Sequence, residues 1–531
     1  MEFLIFGLLA VIAALVALAR FLRVPYPVVL VLGGVGLGFI PLMPPARLPP
    51  DLVMMVFLPP ILYSAAFFSS PHEFRANLRP IAWLAVGVTL ITATAIAWVA
   101  HELIGLPWAA AFVLGAVVAP TDPVAMSAVA GRIGAPRQVV TILEGESLIN
   151  DGTALSLYHV ALAVVVTGFF SLPLAILQFG LYVIVGVAIG LIVGWLVAFI
   201  RMRVADRQVE IIISLLTSYA AYIPAQELGV SGVLAAVAAG LYLGWRSPQL
   251  SGPRARLQMF EVWEVLPFLL NSLLFILIGL QLPEIVTGIQ HWQSLRLLLY
   301  AAVICLTVVA MRALWTFPFA YLPRLLNRRV REQAPTVDWR RLSIVAYTGM
   351  RGGVSLAIAL ALPFTIHGHA SFPFRNMILF LTFCVILATL VPQGLTLPWL
   401  VRRLGLAGQG DVEEREQAEA RLQAAEAALA RIDELADEDW VHDEAVERLR
   451  ELYERRRRRF SAQLAEEEAE QEGESEIDYE ERSLASQRLR RELLQAERAK
   501  LLELRNSGQI SDGVRRGIER DLDLEDTRLE I

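Results

Sequence analysis

Thirteen apolar runs dominate the sequence, and each is close to the length that a helix needs to cross a lipid bilayer. About 20 residues, at a rise of about 1.5 Å per residue, span the ~30 Å hydrocarbon core. The runs cover residues 3–20, 26–43, 51–69, 80–101, 107–131, 138–167, 175–200, 208–225, 230–246, 260–282, 294–320, 341–363 and 373–400. Because backbone polar groups inside lipid must be satisfied within each segment, the pattern predicts an all-α polytopic membrane protein.

The charged residues divide the chain into two parts. Residues 1–407 hold 25 basic and 16 acidic side chains, whereas residues 408–531 hold 21 basic and 36 acidic ones. We therefore predict a transmembrane domain over residues 1–407 and a charged, helical cytoplasmic tail over residues 408–531. At 56% hydrophobic residues the chain is not an ordinary soluble protein, and we expect it to contact the lipid bilayer and no nucleic acid.

Arginine placement predicts the orientation of the membrane domain. Twenty arginines fall in one set of alternate loops, while the opposite set holds only Arg47 and Arg375, with Arg296 near the end of a run. Cytoplasmic loops carry an excess of basic residues. The sequence thus predicts a multi-pass protein of the plasma (inner) membrane, with its N-terminus outside and its tail in the cytoplasm.

The tail has a helical pattern of its own. Leu422, Ala425, Leu429 and Ile432 follow the three-four spacing of an amphipathic helix or a coiled-coil seam. Two interpretations remain open, namely solvated helices that pack against each other and a regulatory segment that acts on transport.

Residues Ala119 to Pro123 interrupt the fifth run. Pro120 and Pro123 each remove a backbone donor and clash with the preceding turn, so the helix should unwind there. Unwound backbone is tolerated at membrane depth only where it is buried in protein or lines a cavity. The freed carbonyl groups and Thr121 are oxygen ligands suited to a cation, and Asp122 can offset the positive end of a half-helix.

The sixth run carries a cluster of polar residues. Ser147 and Asp151 are four residues apart and share a helix face, and Glu146 and Asn150 share the adjacent face. Asp151 lies about thirteen residues from the cytoplasmic end of its run, which is roughly 20 Å deep. Ionisable groups at this depth are costly and indicate a functional site.

The twelfth run contains an arginine among glycines, in the stretch Gly349-Met350-Arg351-Gly352-Gly353. The glycines weaken the helix, and Arg351 lies roughly 15 Å deep. A buried arginine needs a carboxylate partner, and we expect that partner to be Glu146. Arg312, in the eleventh run, could pair locally or extend its guanidinium toward the membrane surface, and the sequence indicates no clear role for it.

The two interrupted runs occupy matching positions in the chain. They are fifth within runs 1–6 and fifth within runs 8–13, and they cross the membrane in opposite directions. Interrupted helices at matching places in two inverted halves indicate the binding site of a transporter.

With these motifs, residues 1–407 resemble the sodium/proton exchanger family of cation:proton antiporters, especially its bacterial members. The matching stretches are Leu58 to Leu62, Thr121 to Pro123, Glu146 to Asp151, Phe275 to Gly279 and Gly349 to Gly353. The resemblance implies thirteen helices in two inverted repeats, two crossed and unwound helices, and a homodimer.

The resemblance also implies roles for individual residues. The essential carboxylate of the family corresponds to Asp151 and its neighbouring amide to Asn150, while the oxygen ligands correspond to Thr121 and Ser147. The family's acidic residue in the crossed helices corresponds to Asp122, and its buried ion pair corresponds to Glu146 and Arg351.

The sequence departs from the family pattern at two positions. Many members carry a carboxylate shortly after the Leu-Pro-Pro stretch, where this chain has Ser64, so Ser64 is at most a weaker ligand and ion selectivity can differ. Asn271 stands where some animal exchangers have an acid.

The expected activity is exchange of protons for sodium or lithium by alternating access, with Na⁺ held at Asp151, Ser147 and Thr121 and with no cofactor. One titrating carboxylate predicts an electroneutral 1:1 exchange. A potassium/proton antiporter could use the same residues. An intramembrane enzyme is a poor alternative, because His159 lies about 18 Å along the helix from Ser147, too far to activate it.

Overall fold

The computed structural model describes residues 2–40, 54–123, 137–204, 206–250, 252–289, 293–326, 338–366, 370–406, 410–436, 438 and 441–472, with scattered positions from 493 onward. The chain divides into two compact units, Met1–Gly410 and Asp411–Ile531. Helices make up nearly all of the regular structure in the described residues.

The helices of the first unit are α1 (Glu2–Phe21), α2 (Tyr26–Gly38), α3 (Leu58–Phe67), α4 (Pro71–Ala76), α5 (Leu78–Ala82), α6 (Thr89–Val99), α7 (Trp108–Val118), α8 (Arg137–Thr167), α9 (Leu172–Arg201), α10 (Arg207–Glu227), α11 (Gly232–Leu250), α12 (Pro253–Leu280), α13 (Leu282–Thr287), α14 (Ser294–Leu326), α15 (Trp339–Tyr347), α16 (Gly353–Leu360) and α17 (Arg375–Arg403). Two π-helical segments, Trp83–Val88 and Ala100–Ile104, flank α6. A short antiparallel pair, β1 (Thr365–Ile366) and β2 (Ala370–Ser371), lies between α16 and α17.

Seven helices among the described residues are long and apolar enough to cross a membrane. They coincide with seven of the thirteen predicted runs, and they are Leu78–Ile104, Gln138–Thr167, Leu172–Arg201, Arg207–Glu227, Ala255–Thr287, Ser294–Tyr321 and Arg375–Arg403. Four further runs contain shorter apolar helices, namely Gly7–Phe21, Tyr26–Gly38, Met54–Phe67 and Trp108–Val118. The second half of the fifth run, beyond residue 123, lies outside the described residues.

The outer surface of the first unit is apolar where a soluble protein would be polar. On α9, Ile184 is 68% exposed and Ile192 is 63% exposed, and on α14 Leu306 is 69% exposed. Soluble proteins seldom expose contiguous apolar surface of this kind, so these faces are suited to contact lipid.

Glycines bring neighbouring helices of this unit into close contact. A Cβ added at Gly190 of α9 would collide with the backbone carbonyl of Ala235 on α11. A Cβ at Gly34 of α2 would likewise collide with the carbonyl of Ile276 on α12. Small residues at such positions let helix backbones approach each other in lipid.

Two helices are interrupted where the sequence predicts it. Helix α7 ends at Val118, and the backbone from Pro120 to Asp122 is not helical. Helices α15 and α16 are separated by the non-helical residues 348–352. Both interruptions lie inside the first unit, and their side chains form the site described below.

The continuous helices of the second unit are α18 (Gly410–Leu435) and α19 (Asp443–Glu472), and scattered positions from 493 onward are also helical. An ion pair of 2.5 Å between Arg450 and Asp433 joins them, and the Arg421 guanidinium lies 5.7 Å from the centre of the Phe460 ring. The residues of the predicted amphipathic stripe, among them the buried Ala425, lie on α18.

Candidate ion-binding site

The two interruptions contact each other directly. The backbone amide of Asp122 donates to the carbonyl of Met350 over 2.8 Å, and the amide of Gly353 donates to Oδ2 of Asp122 over 3.4 Å. Gly352 makes this approach feasible, because a Cβ at that position would collide with the Asp122 carboxylate. The structure thus brings the predicted residue Asp122 to the N-terminus of α16, where the helix dipole favours a negative charge.

Three of the predicted ligands form one hydrogen-bonded cluster. The Thr121 and Ser147 hydroxyl oxygens are 3.0 Å apart, and Nδ2 of Asn150 donates to the Thr121 hydroxyl over 2.7 Å. Thr121 comes from the interruption after α7, whereas Ser147 and Asn150 come from α8. The cluster therefore ties the unwound backbone to α8, which also carries Asp151.

Asp151 lies in the next position of α8 and is completely buried. Neither of its carboxylate oxygens, nor Oδ1 of Asn150, has a hydrogen-bond partner among the residues that the structure describes. Buried polar groups are nearly always paired, and an ionised carboxylate without a partner is especially costly. Such a group is suited to take up a proton or a cation.

The prediction that Glu146 pairs with Arg351 is wrong. Glu146 instead pairs with Arg312 of α14, whose Nη1 and Nη2 lie 2.6 and 2.8 Å from Oε1 and Oε2. Nε of the same arginine donates to the carbonyl of Val345 on α15 over 3.0 Å. Arg312 is buried, and its planar guanidinium forms a bidentate ion pair with the two carboxylate oxygens.

Arg351 is held by backbone carbonyl groups instead. Its Nε donates to the carbonyl of Val118 over 3.1 Å and its Nη2 to that of Ala119 over 3.3 Å, while Nη1 donates to Gly349. The first two carbonyls lack their helical donors. In a continuous helix the carbonyl of Ala119 would accept the amide of residue 123, which is a proline and has none. The carbonyl of Val118 would accept the amide of Asp122, which donates to Met350 instead.

Two residues of α17 belong to the site and were not found by sequence reasoning. Oγ1 of Thr389 accepts the amide of Arg351 over 3.0 Å, and Oε1 of Gln393 accepts the amide of Gly349 over 3.3 Å. Both side chains are buried, and both satisfy donors that the interruption leaves without helical partners. The only sequence feature that could have identified these two residues is a Thr and a Gln four positions apart on an apolar run.

Ser64 and His159, among the remaining candidates, have partners in their own helices. The Ser64 hydroxyl donates to the carbonyl of Ile61 in its own helix over 2.9 Å, and Asn271 is buried on α12. His159 bonds to the carbonyl of Leu155 in the same helix over 2.8 Å. No group of three His, Cys, Asp or Glu side chains in the described residues could hold a metal ion.

Two interrupted helices in contact around buried carboxyl groups are the arrangement of ion-coupled membrane transporters. The family model for sodium/hydrogen exchangers matches residues 7–403. The chain therefore belongs to the sodium/hydrogen exchanger family.

Individual relatives agree with this assignment. An uncharacterized Na⁺/H⁺ exchanger of Mycobacterium tuberculosis is 36% identical over 536 residues, covering 99% of this chain and 97% of the relative. The sodium, potassium, lithium and rubidium/H⁺ antiporter of Bacillus pumilus is 32% identical and covers 74% of this chain and 60% of the relative. The fold resembles the sodium proton antiporter MjNhaP1 of Methanocaldococcus jannaschii, with a TM-score of 0.60 at 19% identity, over 76% of this chain and 99% of that structure.

Proposed function

We propose that the protein is a secondary active transporter that exchanges protons for sodium or lithium across the plasma membrane by alternating access. The observation that carries this proposal is the buried Asp151 carboxyl, whose two oxygens have no partner among the described residues. The oxygen-rich cluster formed by its neighbour Asn150 with Thr121 and Ser147 supports it. Membership of the exchanger family gives the same indication.

Exchange follows from competition for one carboxyl group. A bare carboxylate deep in the membrane domain is costly, and either a proton or an alkali cation removes that cost. Asp151 holds one of the two at a time, so each passage of the loaded site carries one kind of ion. No further coupling device is needed.

The ligands that we assign to sodium are a carboxylate oxygen of Asp151 and the hydroxyl oxygens of Ser147 and Thr121. Asn150 keeps the Thr121 hydroxyl in place through its amide, and its buried Oδ1 is a further acceptor. Hard oxygen ligands of this kind suit small alkali cations, in the same way that they suit other hard cations.

The charges around the two interruptions support a one-for-one, electroneutral exchange. Glu146 and Arg312 form an ion pair, and Arg351 is bonded to the unwound segment that also carries Asp122. These four charges sum to zero. The remaining charge on Asp151 is cancelled by one proton or by one sodium ion, so both loaded forms of the site are neutral.

We further propose the membrane arrangement that the sequence predicts. The domain of residues 1–407 would cross the membrane thirteen times in two inverted repeats and form a homodimer. Its N-terminus would lie outside, and the tail of residues 408–531 would lie in the cytoplasm. The two contacting interruptions, one in each predicted half, support this arrangement.

Replacing Asp151 tests the central assignment. The purified protein is reconstituted in vesicles with a pH-sensitive dye, and sodium is added outside. Asp151→Asn should abolish sodium-driven proton movement, because the neutral amide can exchange neither ion. Asp206→Asn is the matched control, since Asp206 is an exposed helix cap and asparagine caps as well as aspartate. Sodium-driven exchange by Asp151→Asn would refute the assignment.

The same vesicles test stoichiometry and selectivity. An imposed membrane potential should leave the equilibrium distribution of a 1:1 exchange unchanged, and a clear dependence on voltage would contradict electroneutrality. Potassium is the alternative cargo, suggested by the printed name of the Bacillus pumilus relative and by the absence of a carboxylate at Ser64. Adding sodium, lithium and potassium in turn separates the two.

A further inference from the structure

The end of half-helix α16 that lies away from the ion site is held by side chains from two other helices. Nε and Nη2 of Arg375, the first residue of α17, donate to the carbonyls of Leu362 and Leu360 over 3.1 and 3.4 Å. The hydroxyl of Tyr158 on α8 donates to the carbonyl of Ala361 over 3.3 Å. Three successive carbonyls therefore have side-chain donors.

These contacts satisfy a requirement of any helix end. The last carbonyls of a helix lack intrahelical donors and carry the negative end of the dipole, so a guanidinium there stabilises the end by both hydrogen bonding and charge. The Arg375 guanidinium also lies 4.1 Å from the centre of the Phe364 ring, which restricts its position. Phe374, immediately before it, has φ 56°, a left-handed conformation that a bulky residue adopts only when its surroundings impose it.

The opposite end of α16 is part of the ion site. The amide of Gly353 donates to the Asp122 carboxylate, and residues 348–352 before it are not helical. α16 has eight residues, about 12 Å of helix, which is too short to be stable without its surroundings. Its axial position therefore depends on what holds its two ends.

Tyr158 connects the two ends through α8. It lies seven residues after Asp151, which is two helical turns further along the same face. α8 thus carries Asn150, which bonds Thr121 next to the Asp122 that contacts Gly353 at one end of α16, and also a donor for a carbonyl at the other end.

We propose that Arg375 and Tyr158 are positioning residues that fix α16 along its axis, and so hold the Gly353 amide against Asp122 and set the affinity for the transported cation. This inference rests on the proposed function, since affinity is defined only if the protein transports. Loss of the hydrogen bonds that Arg375 and Tyr158 donate would let α16 shift at the ion site without removing any cation ligand. The affinity for sodium would then fall more than the maximal rate.

The test compares Arg375→Gln, Arg375→Lys and Tyr158→Phe with the control Arg296→Gln, which removes an exposed arginine near the start of α14. The full-length protein in lipid nanodiscs is followed by hydrogen exchange of the amides of 353–360, and in vesicles by sodium-dependent exchange. Arg375→Gln should speed amide exchange in α16 and raise the apparent KM for sodium about three- to tenfold, with the maximal rate within about twofold of wild type. Arg375→Lys should restore most of the affinity.

The two readouts separate failure of this inference from failure of the proposed function. If the wild-type protein moves no sodium, the proposed function fails. Amide exchange then still tests whether Arg375 and Tyr158 stabilise the end of α16. Amide exchange in α16 and a KM for sodium that match those of Arg296→Gln would overturn the positioning role. If Arg375→Gln does not fold, Tyr158→Phe decides, because it removes one oxygen atom and should change both readouts in the same direction by a smaller amount.

Discussion

Removing Glu146 and Arg312 singly and together tests which arginine neutralises the buried glutamate. Glu146 and Arg312 are each 1% exposed, and two hydrogen bonds of 2.6 and 2.8 Å join their side chains. Glu146→Gln or Arg312→Gln alone leaves an unpaired buried charge, which costs about 3–5 kcal/mol. The double variant removes both charges of the pair. Its loss of stability should therefore be much smaller than the sum of the losses of the two single variants, with a coupling free energy of about 3 kcal/mol.

The free energy of unfolding can be measured for each variant by titrating the purified protein in mixed micelles with a denaturing detergent. The matched control is the cycle of Glu146→Gln with Arg351→Gln, for which we expect a coupling of no more than about 1 kcal/mol, because Arg351 is bonded to backbone carbonyls. Additive costs for Glu146 and Arg312, together with strong coupling between Glu146 and Arg351, would refute the assignment.

Two further predictions concern packing and the interruption before α16. Gly190→Leu should lower the melting temperature of the purified protein because its side chain meets the Ala235 backbone, whereas Gly180→Leu on the same helix has open space and should not; equal melting temperatures would contradict this packing. Gln393→Leu leaves the buried amide of Gly349 without its acceptor. It should cost about 1–3 kcal/mol of stability in the detergent titration and lower the rate of sodium/proton exchange. A variant as stable and as active as wild type would exclude this role for Gln393.

Much of the site could be predicted because its residues break rules that apolar helices obey. Pro120 and Pro123 cannot both continue a helix, and the structure has non-helical backbone from Pro120 to Asp122. Four-residue spacing put Ser147 and Asp151 on one face, and the hydroxyl of Ser147 does lie beside that of Thr121. Their roles as cation ligands remain a prediction.

The rest could not be predicted because it depends on which helices become neighbours. Thr389 and Gln393 lie on a regular apolar helix, and nothing in their local sequence shows that they accept amides from another helix. In the sequence, Arg375 is distinguished only as one of the few arginines in its set of loops. Its contacts with the end of α16 depend on the turn at Phe374, whose left-handed conformation the sequence does not indicate.

Carboxylates are not the only partners for a buried guanidinium, and for that reason the predicted pairing of Glu146 with Arg351 is wrong. The prolines also create acceptors, because Pro123 has no N–H to donate to the carbonyl of Ala119. Arg351 fills that need from the facing interruption, and Glu146 is left for Arg312. A proline-broken helix at membrane depth thus requires a donor as much as it supplies ligands, and a buried arginine opposite such a break is better assigned first to the freed carbonyls.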